Sequence, residues 1–141
     1  MDRKNRLDLS RYRMDKAKSI LETSKIDFAH GDMNSSANRS YYAIFHALRA
    51  VLAIDGFDSK KHKGIIAYFN RNYVKTRIFP ADTSEIIDSA FEERGNADYE
   101  DYYEVTPEAA QEQISNAEYI ISIIQPYLES CWAEIEQEDK S

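Results

Sequence analysis

Apolar residues recur at intervals of three and four along most of the chain, and this spacing restricts the fold more than any other feature. Such spacing places the apolar side chains on one face of successive helices, and no segment shows the strict alternation of a half-buried strand. The apolar content of 43% is close to the average of globular proteins and argues against a disordered chain. The sequence therefore predicts an all-α protein, an antiparallel bundle of about five helices.

Capping residues, glycine and proline mark where the predicted helices begin and end. The five helices are predicted at about 9–30, 34–54, 61–74, 82–99 and 107–128. Thr106 followed by Pro107 is the strongest start signal, because a hydroxyl cap precedes proline in the first helical position. Gly95 weakens the fourth helix, which we expect to bend or end between Gly95 and Tyr99. Pro126 lacks an N–H and is expected to kink or end the last helix, leaving a frayed acidic tail over 129–141.

The length of 141 residues suits a single domain, whose core we place at about 9–128. Cys131 is the only cysteine, so no internal disulfide can form, and no His/Cys spacing predicts a metal site. The sequence has no phosphate-binding glycine motif and predicts no cofactor. No apolar run reaches the roughly 20 residues that span a bilayer, and the charged N-terminus does not resemble a signal peptide. We therefore expect a cytoplasmic protein that does not bind a membrane.

Charge is distributed unevenly along the chain. Residues 1–81 hold 16 basic and 8 acidic side chains, a net charge of +8, whereas residues 82–141 hold 2 and 17, a net charge of −15. One stretch of the first half contains six basic residues and no acidic one: Lys60, Lys61, Lys63, Arg71, Lys75 and Arg77. This stretch is either a solvated face or a surface that binds phosphates. The acidic half is either a solubilising surface or a docking surface for a partner.

Two histidines are candidates for proton transfer. Arg39, Tyr42 and His46 share one helix face, because offsets of three, four and seven residues bring side chains to the same side. His62 lies among lysines, which disfavour its charged form and predict a neutral imidazole near pH 7. The structural alternatives are a hydrogen-bonded His46 at the edge of the core and an exposed His62.

Arg94 is a candidate for holding an anion. It follows the apolar stripe of the fourth predicted helix, and it is one of two basic residues in the acidic half of the chain. A buried arginine needs an anionic partner. Asp98, four residues further on, supplies one if Arg94 has only a structural role.

Four segments, in this order, are similar to the HEPN domain family: RSYYAIFHA at 39–47, HKGII at 62–66, YVKT at 73–76 and RGNADY at 94–99. The resemblance covers about residues 9–128 and is to the small stand-alone bacterial and archaeal members. It implies an α-helical bundle that usually pairs as a homodimer. Many members are encoded beside a minimal nucleotidyltransferase, as toxin and antitoxin. Active members are metal-independent ribonucleases, whereas others bind nucleotides or lack catalysis.

The chain departs from the family at the catalytic motif, an arginine followed by a histidine after four to six residues. Arg94 matches the arginine, but positions 99–101 hold a tyrosine and two acids. Metal-free RNA cleavage needs a base for the 2′-OH proton and a cation for the phosphorane. Tyr99 is a poor base, because the pKa of tyrosine is near 10. His46 or His62 can replace the missing histidine only if the bundle brings it near Arg94.

The resemblance leads to a first functional hypothesis, a toxin-type protein that acts on RNA and can be a metal-independent ribonuclease. Arg94 would hold the phosphate, and His46 or His62 would transfer the proton. Tyr99 would hydrogen-bond to a base or stack on it. Six further residues are expected to contribute to binding: Arg39, Tyr42, Asp98, Lys61, Lys63 and Lys75.

The second hypothesis is a non-catalytic helical module that binds a nucleotide or a nucleotidyltransferase partner. The missing histidine motivates it, together with the acidic last helix as a docking surface. In related systems the partner adds nucleotides to a tyrosine just beyond the motif. Tyr99, Tyr102 and Tyr103 occupy that region here and are candidate modification sites.

Overall fold

The computed structural model describes residues 2–99 and 102–140, with the side chains of residues 97–99 left out. Within these residues the chain forms five α-helices and no β-strand. The helices are α1 (Arg3–Ala29), α2 (Met33–Ile54), α3 (His62–Phe69), α4 (Thr83–Tyr99) and α5 (Pro107–Lys140), and a π-helical turn, Asn70–Val74, continues α3. The prediction of an all-α bundle of about five helices is confirmed.

α2 is the central helix of the bundle, because each of the other four helices packs against it. Alanines at 43, 47, 50 and 53 are buried on α2 and allow its neighbours to approach closely. A buried hydroxyl cluster joins α1 to α2: the Ser24 hydroxyl lies 2.7 Å from both the carbonyl oxygen of Ser36 and the hydroxyl of Ser40. The largest fully buried side chains come from all five helices and include Met14, Tyr41, Leu48, Ile65, Phe69, Ile87 and Ile124.

The helix ends follow local rules of capping. Asp2 and Asp32 accept hydrogen bonds from the backbone N–H groups of the residues three positions on, at 2.8 Å and 3.1 Å. Asp32 therefore caps α2, which begins at Met33, one residue before the predicted start. Gly31 has a φ of +83°, the left-handed conformation that closes α1 and lets the chain reverse into α2. Thr106 caps α5 as predicted, since its hydroxyl accepts from the N–H of Ala109 at 3.1 Å.

α5 does not end at Pro126, as one of the two predicted outcomes had it, and residues 129–140 of the predicted tail lie within this helix. The helix continues to Lys140 because its last turns pack along the beginning of α1. The indole N–H of Trp132 donates to the hydroxyl of Ser10 at 2.9 Å, and Arg11 lies over the indole ring. Ion pairs join Arg11 to Glu136 and Arg3 to Glu138. One missing N–H does not end a helix that is held by these contacts.

α3 differs from the prediction by being interrupted. The predicted helix over 61–74 is regular only to Phe69, and the next five residues form the π-helical turn. The hydroxyls of Tyr68 and Tyr73 donate to the Asp55 carboxylate at 3.1 Å and 2.6 Å. Because Asp55 directly follows α2, this carboxylate fixes the position of α3 relative to the C-terminal end of α2.

Candidate functional site

Three helices bring four side chains together on one side of α2. His62 Nδ1 lies 2.8 Å from the hydroxyl of Tyr41, and Arg94 Nη2 donates to the hydroxyl of Tyr42 at 3.1 Å. The guanidinium carbon of Arg94 lies 5.5 Å and 5.6 Å from the centres of the Tyr41 and Tyr42 rings. We call these four residues the His62–Arg94 cluster. Its members come from α2, from the first position of α3 and from α4.

The loop between α2 and α3 places His62 at the cluster. The buried Arg13 of α1 donates to the Arg49 carbonyl oxygen at 3.1 Å and to the Asp58 carboxylate at 3.2 Å. Arg49 donates to the same carboxylate at 3.1 Å, so two guanidinium groups hold the loop at Asp58. The Ser59 hydroxyl accepts from the N–H of Lys61 at 3.2 Å, and a Cβ on residue 64 would lie only 2.6 Å from this oxygen. Glycine at 64 therefore allows the loop to pack against the first turn of α3.

His62 is positioned to be neutral at pH 7. Its ring is stacked on Phe45 with 4.2 Å between the ring centres, and it meets the Tyr42 ring edge-on. Burial and the positive charges of Arg94 and Arg49 lower the pKa of His62 below its ordinary value. Burial raises the pKa of the Tyr41 hydroxyl, so this phenol stays protonated. In the tautomer in which Nδ1–H donates to Tyr41, the lone pair is on Nε2, which is then free to accept a proton.

His46 lies at the edge of the cluster. Its ring centre is 6.4 Å from that of Tyr42 and 6.0 Å from that of Phe45. Within the described residues, its Nδ1 is buried without a hydrogen-bond partner. Burial, followed by the charges of Lys16 and Arg49, lowers the pKa of His46 to about 4. His46 is thus also neutral at pH 7. The largest charge effect on its pKa comes from Lys16, whereas for His62 it comes from Arg94.

The other candidates from the sequence lie outside this cluster or cannot be placed. Lys61, Lys63 and Lys75 are exposed, and so is Arg39, for which the described part of the chain shows no contact with the cluster. The side chains of Asp98 and Tyr99 lie outside the described residues, and with them the predicted Arg94–Asp98 pair.

The two later tyrosines differ in accessibility. Tyr103 is half-buried, and its hydroxyl donates to the Glu93 carboxylate at 3.0 Å. Tyr102 is fully exposed. Of these two phenols, Tyr102 therefore offers the more accessible hydroxyl.

Sequence reasoning missed Tyr41, Phe45 and Arg49 as neighbours of the site. Tyr41 and Phe45 fall on the apolar stripe of α2, which is typical of core residues, yet both contact the His62 ring. The face that carries Tyr42 and His46 continues three residues on to Arg49. That offset is the signal that could have identified Arg49.

Metal sites and membrane spans are both absent from the described residues. No group of three or more His, Cys, Asp or Glu side chains there is arranged to hold a metal ion. No helix in that part of the chain has the length and apolar character needed to cross a bilayer.

The chain is similar to one family profile and to several known proteins. The sequence profile of the HEPN domain matches residues 10–127. A UPF0332 protein of Thermotoga maritima is 31% identical over 114 residues, which cover 81% of this chain and 86% of that protein. Two proteins of Methanocaldococcus jannaschii, each named “Putative toxin”, are 26% and 31% identical. Those alignments cover 82% and 79% of this chain, and 78% and 83% of the two proteins.

Proposed function

Because the chain belongs to the HEPN domain family, we propose that it is a toxin-type protein that acts on RNA and cleaves it without a metal ion. The observation that carries this proposal is the meeting of His62 and Arg94 at the Tyr41–Tyr42 pair. His62 is thus a histidine near Arg94, the arginine of the family motif, although positions 99–101 contain no histidine. The toxin names of the two relatives support the same function.

In the proposed reaction, Arg94 binds the phosphate to be attacked. Its planar guanidinium can hold two phosphate oxygens and stabilises the negative charge that develops as the phosphorane forms. His62 Nε2 takes the proton of the neighbouring 2′-OH, and the 2′-oxygen forms a bond to phosphorus. The bond to the 5′-oxygen breaks, and this oxygen takes a proton from water. The products are a 2′,3′-cyclic phosphate and a new 5′-OH end.

Three substitutions test these roles in an RNA cleavage assay containing EDTA. We expect Arg94→Ala and His62→Gln each to slow cleavage by about 100-fold or more, because each removes a transition-state interaction of that size. His46→Gln is expected to cost less than about 10-fold. His30 is exposed at the end of α1, and His30→Gln is the matched control that should leave the rate unchanged. Absence of cleavage by the wild-type protein, or equal cleavage by Arg94→Ala, would contradict the proposal.

We also propose that the protein forms a homodimer and pairs with a minimal nucleotidyltransferase antitoxin, as its family resemblance implies. If that partner modifies a tyrosine beyond the motif, Tyr102 is the accessible hydroxyl among the described residues, because its ring is fully exposed. Light scattering at micromolar concentration and co-purification after co-expression test the two assemblies. Mass spectrometry of the co-expressed protein tests the modification.

The second candidate function is a binding module without catalysis. It is favoured by one observation: Arg94 and Tyr42 are joined by a hydrogen bond and His62 is joined to Tyr41, so the cluster also has a structural role. A wild-type protein that binds nucleotides or the nucleotidyltransferase but leaves RNA intact would establish this function instead.

A further inference from the structure

A cleft of about 560 Å³ lies beside the His62–Arg94 cluster, between α2 and the start of α3. It is lined by Phe45, Arg49, Asp58, Ser59, Lys60 and His62. His62 is therefore shared by the cleft and the cluster. A molecule in the cleft would contact the same imidazole to which the proposed function assigns the proton transfer.

The cleft carries an excess of positive charge. Arg49 and Lys60 line it, and the buried Arg13 lies directly behind Asp58. One carboxylate, that of Asp58, is shared by the two arginines. Because one negative charge faces two guanidinium groups and an ammonium group, an anion entering the cleft is attracted.

Arg49 still has capacity to donate. Its Nη2 donates to Asp58, at 3.1 Å and 3.3 Å from the two carboxylate oxygens, whereas its Nε is buried without a hydrogen-bond partner among the described residues. A phosphate can accept from two N–H groups along one edge of a guanidinium group. Asp58 is itself about half exposed, so it can turn away from Arg49 towards water.

One wall of the cleft is aromatic. The Phe45 and His62 rings are stacked there at 4.2 Å, and the guanidinium carbon of Arg49 lies 6.0 Å from the centre of the Phe45 ring. A flat apolar wall beside two basic side chains suits a sugar or base that carries a phosphate, rather than an inorganic anion alone.

We propose that this cleft binds a phosphate carried on a nucleoside, held by Arg49 and Lys60, and that Asp58 competes with this phosphate for Arg49. This assignment rests on the proposed cleavage of RNA. Arg94 holds the phosphate that is attacked, and the cleft binds the adjacent phosphate of the same strand. Asp58 then lowers affinity in the free protein, so its removal strengthens binding whereas removal of Arg49 weakens it.

The test is a binding titration with a 2′-deoxy-substituted tetranucleotide, which cannot be cleaved, and in parallel with a nucleoside 5′-monophosphate. We expect Arg49→Gln to weaken binding of the tetranucleotide about 10-fold and Lys60→Gln about 3-fold. Asp58→Asn should tighten binding of the tetranucleotide about 3-fold. This gain should vanish in the Arg49→Gln background, because Asp58 then has no arginine for which it competes with the phosphate. Lys18→Gln removes the same charge from an exposed position of α1 and should change binding by less than 2-fold.

Thermal melting of each variant shows whether it folds, and Lys60→Gln is the safest variant because Lys60 is exposed. The cleft assignment is wrong if Lys60→Gln and Arg49→Gln bind both probes as tightly as Lys18→Gln does, or if neither probe binds the wild-type protein. If the variants change binding with these signs but the wild-type protein leaves RNA intact, the cleft assignment holds and the ribonuclease proposal fails. If the substitutions change only the affinity for the monophosphate, the ligand is a free nucleotide. If they change the affinity for the tetranucleotide, the ligand is a strand.

Discussion

At the scale of single residues, the site combines a permanent cation with a neutral base. Arginine is the side chain that proteins use as a permanent cation, and Arg94 supplies it here. Burial and that same charge keep the imidazole of His62 unprotonated. One side chain can therefore hold an anion while its neighbour accepts a proton at the same pH. Tyr41 and Tyr42 set the spacing between them through two hydrogen bonds.

His46 gives a prediction about stability rather than rate. Burial is the main reason why its pKa in the folded protein is about 4, below the ordinary value of 6.5. Between pH 4 and 6.5 the unfolded chain binds a proton that the folded chain does not, so stability is complete above pH 6.5 and falls as the pH drops towards 4. A single histidine changes the free energy of unfolding by at most about 1.4 kcal/mol per pH unit, and water around the half-exposed ring reduces this.

We therefore expect His46→Gln to flatten the dependence of the free energy of unfolding on pH in this window. Urea denaturation at several pH values between 4 and 7 measures it. His30→Gln, at the exposed end of α1, should leave the wild-type slope unchanged. A slope that is the same with and without His46 would contradict this interpretation of its burial.

At the scale of elements, the far end of α5 is stabilised by the beginning of α1. The last turns of α5 are rich in acidic residues, and the beginning of α1 is rich in basic ones. Trp132 adds an indole that hydrogen-bonds to Ser10 and lies beneath Arg11. The exposed ion pairs contribute little individually. The half-buried indole is therefore the main link between the two helix ends.

Truncating this side chain should loosen the last turns of α5. Trp132→Ala is expected to lower the free energy of unfolding by roughly 1–3 kcal/mol, less than for a fully buried tryptophan. It should also speed amide hydrogen exchange beyond residue 128. Glu134 is exposed two residues further on, and Glu134→Ala should change stability by less than about 0.5 kcal/mol. Equal effects of the two substitutions would show that the indole does not hold the end of α5.

The same elements show how far the sequence could predict the structure. Helix type and approximate bounds follow from apolar spacing and caps, which are local, and the predicted Thr106 cap of α5 is confirmed. The continuation of α5 past Pro126 was not predicted, since it depends on packing against α1, more than a hundred residues away. The site was predicted only as separate parts. His62 and Arg94 were both candidates, but their meeting at Tyr41 and Tyr42 is a tertiary contact that no local spacing encodes.

At the scale of the whole molecule, the bundle partly neutralises its own charge asymmetry. Ion pairs join the acidic α5 to the basic α1, among them Lys25 with Glu118 at 3.5 Å. Part of the acidic half therefore serves α1 rather than a separate partner. The basic residues near the start of α3, including Lys60, Lys61 and Lys63, stay exposed beside the cleft and the His62–Arg94 cluster. A chain with a net charge of −7 thus presents a positive surface where its candidate site lies.

This distribution predicts that RNA binding weakens as salt rises, despite the negative net charge. The slope of log Kobs against log salt is expected to be about −0.7 for each phosphate that a basic side chain neutralises on a single strand. Replacing both Lys61 and Lys63 with glutamine should reduce the slope by up to about 1.4, whereas Lys18→Gln should leave it nearly unchanged. The measurement is a titration of uncleavable RNA at several salt concentrations. Binding that is independent of salt would contradict an electrostatic surface.

The pairing of α1 with α2 has a consequence for the order of folding. These helices are neighbours in the sequence, so they can form a hairpin through short-range contacts, which is the fast kind of folding event. During synthesis the N-terminal segments emerge first. The hairpin can therefore assemble while Arg94 is still inside the ribosome, and the surface that would bind RNA is incomplete until α4 has emerged and docked. The candidate site of a nascent chain is thus incomplete until late in synthesis.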